Sequence, residues 1–409
     1  RRAQGVRQTY DGSCRATAKA VSRSAAKVNK VYDVLVVGAG VTGLTVAALL
    51  AQGKHSRQLR ITVVDAGPRP EHKHDEDIAL RVSAIATGSA QLLDSIGAWS
   101  YVANTRACAY EAMRVWDESI EPDSQGALRF EAAEFAVPQL GFIVENTLIQ
   151  HALLDVLDNL DVSLMFNTRV DSLKADLVIG ADGARSFVRE QAGLETRDFP
   201  YGQTALVTHL APAEPHRNTA LQRFTRDGPL GMLPLADGRI SVVWSVHDVL
   251  AERVQDASDD ELGDILTEAS DYALGPLRVN GPRGAFPLCA RHATQYVMPG
   301  IALIGDAAHA VHPLAGQGAN LGLQDAAKLA DVINTALGNA EHPGDRPVLR
   351  RYERARKGEN AAMLHFMTGL NRLFATDSAL IRELRVTGMR LFNYSGPIRD
   401  HVVKVALGI

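Results

Sequence analysis

Gly38-Ala39-Gly40-Val41-Thr42-Gly43 is a spacing in which backbone, not side chains, does the binding. In a GxGxxG turn the first glycine permits a tight bend. The second lets the main chain approach a pyrophosphate, and the third lets the following helix pack close to the preceding strand. The helix N-terminus then offers free N–H groups and a positive dipole end to phosphate. Asp65, 22 residues beyond Gly43, has the position of an acid that accepts hydrogen bonds from an adenosine ribose, and it disfavours a 2′-phosphate. This pattern calls for FAD or NAD.

Two later groups add acids next to glycines. Asp182-Gly183 is followed by Ser186 and Arg189. Gly305-Asp306 is followed by His309, His312-Pro313 and Gly316-Gln317-Gly318-Ala319-Asn320. Taken singly, each has a structural reading: Asp182 as an Asx-turn with Gly183, Asp306 as a helix N-cap, His309 as a structural hydrogen-bonding residue. His309 and His312 lie three apart without an HExxH or a third ligand, so no metal is expected. No Ser/His/Asp set or pair of carboxylates marks an acid–base site.

The elements that must position these groups are legible nearby. Tyr32–Val37 reads as a buried parallel strand, Leu44–Gln52 as the helix after the glycines, and Ile61–Val64 as the strand ending at Asp65. The 18 uncharged residues from Val34 to Ala51 match a membrane span in length, but three glycines and a strand-like start argue for the dinucleotide turn. Apolar runs at Lys174–Gly183 and Ile301–Ile304 precede the other two groups. Thr204–Leu210, Leu230–Leu235 and Ile240–Val246 are β-rich; Trp244, Phe224 and Met232 are expected in the core, with the lining of an aromatic pocket as the other reading. Arg346–Lys357 reads as a basic helix with a solvated face, an anionic membrane or acidic protein being the minority reading.

Composition narrows the class. The 409 residues carry a net charge of −4, with 43 Lys/Arg and 47 Asp/Glu. Residues 1–30 hold eight of the bases and one acid, leaving 35 bases and 46 acids, or −11, for the rest. So acidic a body repels a phosphate backbone, and no nucleic-acid partner is expected. The basic leader resembles a mitochondrial transit peptide, with a disordered tail as the other reading. Cys14, Cys108 and Cys289 form no disulfide framework or zinc spacing.

The order of these three groups resembles the flavoprotein aromatic hydroxylases of the p-hydroxybenzoate hydroxylase class. Leu80-Arg81-Val82-Ser83-Ala84-Ile85, Val115-Trp116-Asp117, Gly141-Phe142-Ile143-Val144-Glu145-Asn146 and His312–Gly318 are similar, more narrowly, to the ubiquinone-biosynthesis hydroxylases. The likeness runs from about residue 31 to the C-terminus. It implies an α/β fold: a Rossmann-like FAD-binding domain (31–110, 145–190, 285–345) interleaved with a β-sheet substrate domain (111–144, 191–284), then C-terminal helices (346–409). It implies non-covalent FAD held by Gly38, Gly40, Gly43, Asp65, Arg81, Asp182, Gly183, Gly305, Asp306, Pro313, Gly316, Gly318, Ala319 and Asn320. Asp306 should bond the ribityl chain, Arg81 should lie along the cofactor, and the Gly316–Asn320 loop should face the flavin pyrimidine.

The implied activity is ring hydroxylation of a polyprenylated phenol on the route to ubiquinone, with dioxygen as co-substrate, through a flavin hydroperoxide. One GxGxxG, assigned to FAD, leaves NAD(P)H binding transiently or a ferredoxin-type donor as the reductant. Val115-Trp116-Asp117 points to the enzyme that installs the first ring hydroxyl beyond the original phenol. A quinone-biosynthesis complex and peripheral membrane contact follow as partners. The location is then the bacterial cytoplasm and inner-membrane periphery, or the mitochondrial matrix side if the leader is a transit peptide. A flavoprotein oxidase or dehydrogenase, and a non-catalytic accessory flavoprotein, remain alternatives on the same motifs. The chain departs from the family between Asn167 and Asp176, where a longer hairpin is usual: either the connection is short or residues are missing.

Overall fold

A computed structural model describes residues 30–72, 76–376 and 378–408; the basic leader lies outside them save for Lys30. Three sheets organise the chain. The first has six strands in the order Val297–Met298, Ile301–Leu303, Leu177–Gly180, Tyr32–Val37, Leu59–Val64 and Val162–Met165. All neighbours run parallel except Val297–Met298 at one edge. Val34, Val36, Ile61, Val63, Val178 and Ile179 are at most 2% exposed, because helices cover both faces as a parallel sheet requires.

The four central strands end side by side, at Leu303, Gly180, Val37 and Val64. Gly305-Asp306, Asp182-Gly183, the Gly38 turn and Asp65 follow those ends, so all the acidic and glycine motifs gather along one sheet edge. Ligands of open α/β sheets bind at this carboxyl edge.

The second sheet has eight strands, with Thr196–Pro212 and Leu277–Ala293 forming its long pair. Helices Asp248–Asp256 and Asp259–Ala269 cover one face, where Trp116, Met232 and Trp244 are buried. Trp244 and Met232 are therefore core, as is Phe224, whose ring stacks 3.7 Å from Phe374 under the C-terminal helices.

A three-stranded sheet joins two of the family-like segments, with Val82–Ala86 antiparallel to Gly141–Glu145. Ser83 Oγ donates to Asn146 Oδ1 at 2.6 Å. Buried Glu145 accepts from the Ala79 amide at 2.7 Å and pairs with Arg106 at 3.0 Å, and burial raises its pKa.

Between Phe166 and Asp176 the chain is irregular, anchored by the Asn167 amide to Gly67 O and the Thr168 amide to Asp65 O. The strand expected over Lys174–Gly183 is confined to Leu177–Gly180. At the C-terminus stand helices Arg346–Ala375, Ala379–Asn393 and Pro397–Leu407. The basic run is not a uniformly solvated face. Arg351 is paired with Glu341 at 2.6 and 2.7 Å, Arg356 is buried against Asp325, and Lys357 donates to the Thr294 carbonyl.

Candidate active site

The glycine turn is built by steric exclusion. Gly38 has φ +103°, and a Cβ there would lie 2.4 Å from Ala181 O; at Gly43 it would lie 2.0 Å from Gly38 O. At Gly40 it would meet nothing within 4 Å. Gly40 is also the N-cap of helix Val41–Ala51, and no side chain caps that helix. Its first N–H groups thus have no capping side chain, which leaves them for an anion.

Asp65 fixes the turn from beside it, Oδ2 accepting from the Ala39 amide at 2.7 Å and Oδ1 from the Gly67 amide at 2.7 Å. Gln150 Nε2 donates to Ala39 O at 2.9 Å. Sequence reasoning missed Gln150, whose helix lies 111 residues away. Each Asp65 oxygen keeps a second lone pair for a ribose hydroxyl.

Asp306 is walled by protein yet reached by solvent, as in a deep cleft. Burial raises its pKa, with His309 and then Arg81 opposing the rise. Its carboxylate has no hydrogen-bond partner among the described residues. Arg81 stands over the Phe286 ring, 5.8 Å from its centroid. The Gly305 backbone that carries Asp306 is held from beneath by Asp325, which accepts from the Gly305 amide at 3.1 Å.

Asp325 is the hub of a buried network that sequence reasoning also missed. His309 Nε2 lies 2.5 Å from Oδ2, while Arg356 Nε and Asn360 Nδ2 donate to Oδ1 at 2.8 and 3.1 Å. Burial alone would raise the Asp325 pKa, but His309 and Arg356 hold it below the usual value. A signal was available: Asp325 falls on the apolar stripe of Gly322, Ala326 and Leu329, where an acid must be paired. His309 is thus a structural hydrogen-bonding residue, and among the described residues no three potential ligands gather around a metal position.

Helix Gln317–Gly338 presents a second uncapped N-terminus. Gly316, at φ +60°, would place a Cβ 2.8 Å from Ala84 Cβ, and a Cβ on Gly318 would meet nothing within 4 Å. Pro313 opens the short turn before it. The Asn320 side chain is turned away from the opening: Nδ2 donates to Ala84 O at 2.8 Å and Oδ1 accepts from the Ala86 amide at 2.9 Å. It pins the helix N-terminus to strand Val82–Ala86, leaving Ala319 and the glycines to present backbone.

Asp182 is bonded to the start of helix Phe187–Gln191, whose N-cap is Ser186, and not to Gly183. Its carboxylate accepts from Ser186 Oγ at 2.5 Å and the Val188 amide at 3.0 Å. Arg189, buried, donates to Ala307 O and Ala184 O, both at 2.9 Å, tying the Asp182 turn to the Asp306 turn. Gly183 itself, at φ +78°, is open.

The second sheet roofs this edge. Gln203 Oε1 lies 3.4 Å from His312 Nε2, and a Cβ on Gly284 would touch Leu80. Between those anchors Val207, Gly231 and Val243 are cross-strand neighbours and only half-buried. Burial drives the His312 pKa down to about 4, so its imidazole is neutral. Val115-Trp116-Asp117 does not line the opening: Trp116 is in the core and Asp117 pairs with Arg385 at 3.3 Å.

Two uncapped helix ends, an unbonded carboxylate and three glycines with room around them fit a flavin dinucleotide. Comparison with known proteins agrees. The FAD binding domain family matches residues 158–366, and the NAD(P)-binding Rossmann-like domain family matches 36–86. Human ubiquinone biosynthesis monooxygenase COQ6, mitochondrial, is 33% identical, over 94% of both chains. The 3-demethoxyubiquinol 3-hydroxylase of Escherichia coli is 33% identical, over 93% of this chain and all of its own. The chain belongs to the ubiquinone-biosynthesis FAD hydroxylase family.

It is accordingly an FAD-dependent monooxygenase, and the oxidase and accessory-protein alternatives recede. Two solved structures share the fold: PqsL of Pseudomonas aeruginosa (TM-score 0.70, 22% identity, 88% of this chain and 99% of that one) and p-nitrophenol 4-monooxygenase PnpA of Pseudomonas putida (0.71, 18%, 92% and 97%). Among the described residues no helix is long and apolar enough to cross a membrane.

Proposed function

We propose that this enzyme hydroxylates the aromatic ring of a polyprenylated phenol in ubiquinone biosynthesis, with FAD held non-covalently along the carboxyl edge of the parallel sheet. The observation that carries the reading is the convergence of the Gly38, Asp65, Asp182 and Asp306 turns on that edge, beneath the second sheet. FAD, when bound, supplies the electrons and the activation of dioxygen. The chain's own residues do the rest. Gly40 and the Val41–Ala51 helix end take the pyrophosphate, Asp65 takes the ribose, and Asp306 takes the ribityl hydroxyls. The Gly318 helix end supports negative charge on the flavin pyrimidine.

The half-buried Val207, Gly231 and Val243 patch forms an apolar seat for the substrate ring, whose binding would displace water from it. No residue need act as a strong acid or base, which accounts for the lack of such a set. The reductant is a nicotinamide bound transiently or a ferredoxin-type protein, since the GxGxxG is committed to FAD.

Cells lacking the protein should accumulate a prenylphenol one hydroxyl short of the next intermediate, and the intact gene should restore ubiquinone. Isotope-labelled dioxygen should place one labelled atom on the ring. Normal ubiquinone without that intermediate overturns the substrate; stoichiometric peroxide without labelled product overturns the monooxygenation. Stopped-flow reduction by NADPH alone at the turnover rate eliminates the protein donor.

A further inference from the structure

Helices Asp248–Asp256 and Asp259–Ala269 do not close completely on the second sheet. Beneath them lies a cavity of about 190 Å³, walled in part by Val242, Val254, Leu262 and Leu266, with Thr208 and Trp244. Volume limits the occupant. A dry apolar cavity of about 150 Å³ takes a benzene molecule, so this one has room for a single ring with a small substituent and none for a polyprenyl chain.

Strand alternation sets the cavity apart from the proposed flavin site. Thr208 pairs with Val242, and Leu206 with Trp244, so Thr208 and Trp244 are diagonal neighbours on the helix-covered face. Val243, which separates Val242 from Trp244, and its partner Gly231 face the other way, towards the seat proposed for the substrate ring. The cavity is thus a separate place for a ring, one sheet thickness behind that seat, with Val207 bordering both.

Polar atoms in the wall fix the chemistry of a ligand. Trp244 and Thr208 are 3% and 4% exposed, and Trp244 Nε1 and Thr208 Oγ1 have no hydrogen-bond partner among the described residues. Buried polar groups left unpaired are costly, which favours an occupant that satisfies them. An indole N–H only donates, whereas the Thr208 hydroxyl donates or accepts. One ligand hydroxyl can therefore accept from Trp244 and donate to Thr208. Charge of either sign is disfavoured. The covering helices carry eight acids against one base, Arg253. Arg283 in the wall is already engaged, donating to Ala257 O at 2.6 Å and pairing with Asp259. An anion meets those acids, and a cation finds no acid in the wall among the described residues.

We propose that this cavity binds a neutral monocyclic phenol, its ring against Val242, Val254, Leu262 and Leu266 and its hydroxyl between Trp244 and Thr208. The site stands independently of the reaction proposed above.

The test is fluorine NMR titration of full-length, FAD-loaded Val243→Phe protein with 4-fluorophenol, which is uncharged at pH 7. That substitution fills the seat on the opposite face, leaving binding behind the sheet. One equivalent should bind saturably. Fluorobenzene, lacking the hydroxyl, should bind about three- to tenfold more weakly, and adding Trp244→Phe should weaken 4-fluorophenol by the same factor. The anion 4-fluorobenzoate should not bind. Adding Val254→Phe, which fills the cavity, should abolish binding with FAD content unchanged. If either Phe variant fails to fold, Val243→Leu or Val254→Leu replaces it, and Val254→Leu should weaken binding several-fold. Absence of saturable binding, equal affinity for fluorobenzene, or unchanged affinity without the Trp244 indole overturns the proposal. So does wild-type binding that disappears in Val243→Phe, which would put the phenol in the seat.

Discussion

Gly40 and Gly43 stand three residues apart and should fail differently when given a methyl group. At Gly43 the added Cβ would collide with backbone at 2.0 Å, so Gly43→Ala should lower both Tm and FAD affinity. At Gly40 there is room in the protein but not for a pyrophosphate against the backbone. Gly40→Ala should therefore leave Tm within about 1 °C, while FAD affinity falls at least about tenfold. Flavin fluorescence titration and thermal unfolding read the two quantities separately. Equal loss of stability in both variants would show that Gly40 is structural. At Asp306, whose carboxylate has no hydrogen-bond partner among the described residues, Asp306→Ala should weaken FAD by about 1–3 kcal/mol, the usual loss for a charged hydrogen bond, with the fold intact. Unchanged affinity would remove it from the site.

At the scale of elements, the legible parts are those whose signal is local. The strand–glycine–helix unit, the Asp65 strand end and the strand before Asp306 could each be read within a dozen residues, because period and turn chemistry are short-range. What the sequence did not disclose are partners brought together by the tertiary fold. Gln150 reaches Ala39 over 111 positions, and Arg356 reaches Asp325 over 31. Asp117 shows that a family-like segment can serve the packing of the fold. Its motif is distinctive, but its carboxylate is 1% exposed and clamps Arg385 of the C-terminal helices to the second sheet. Removing one partner of a buried pair strands the other, so Arg385→Met should destabilise the protein by about 3–5 kcal/mol. FAD affinity of the folded fraction should stay the same. Faster proteolysis after residue 375 than in wild type would locate the loosening, and wild-type cleavage would refute the clamp.

For the whole molecule, the buried imidazoles should make stability depend on pH. Burial lowers the His312 pKa to about 4, and burial, followed by His309 and Lys357, lowers that of His292 to about 4. An unfolded histidine titrates near 6.5. Between those values the unfolded chain binds protons that the folded chain refuses, so acidification from about 6.5 to 4 favours unfolding. A displacement of that size corresponds to roughly 3 kcal/mol for the buried His312 by the time pH 4 is reached, and to less for the half-buried His292, where solvent screens the charge. Glu145 and Asp306, whose values are raised by burial, act in the opposite sense because the folded chain holds their protons more tightly. Asp325 adds a separate loss at lower pH. Its lowered value stabilises the fold above its unfolded pKa near 3.9, and that contribution disappears as pH falls through the folded value. The His312 share can be isolated by difference. Tm of the wild type should fall from pH 6.5 to 4, and that of His312→Gln should fall less steeply over the same interval. Parallel curves would mean that His312 is protonated as readily in the fold as outside it.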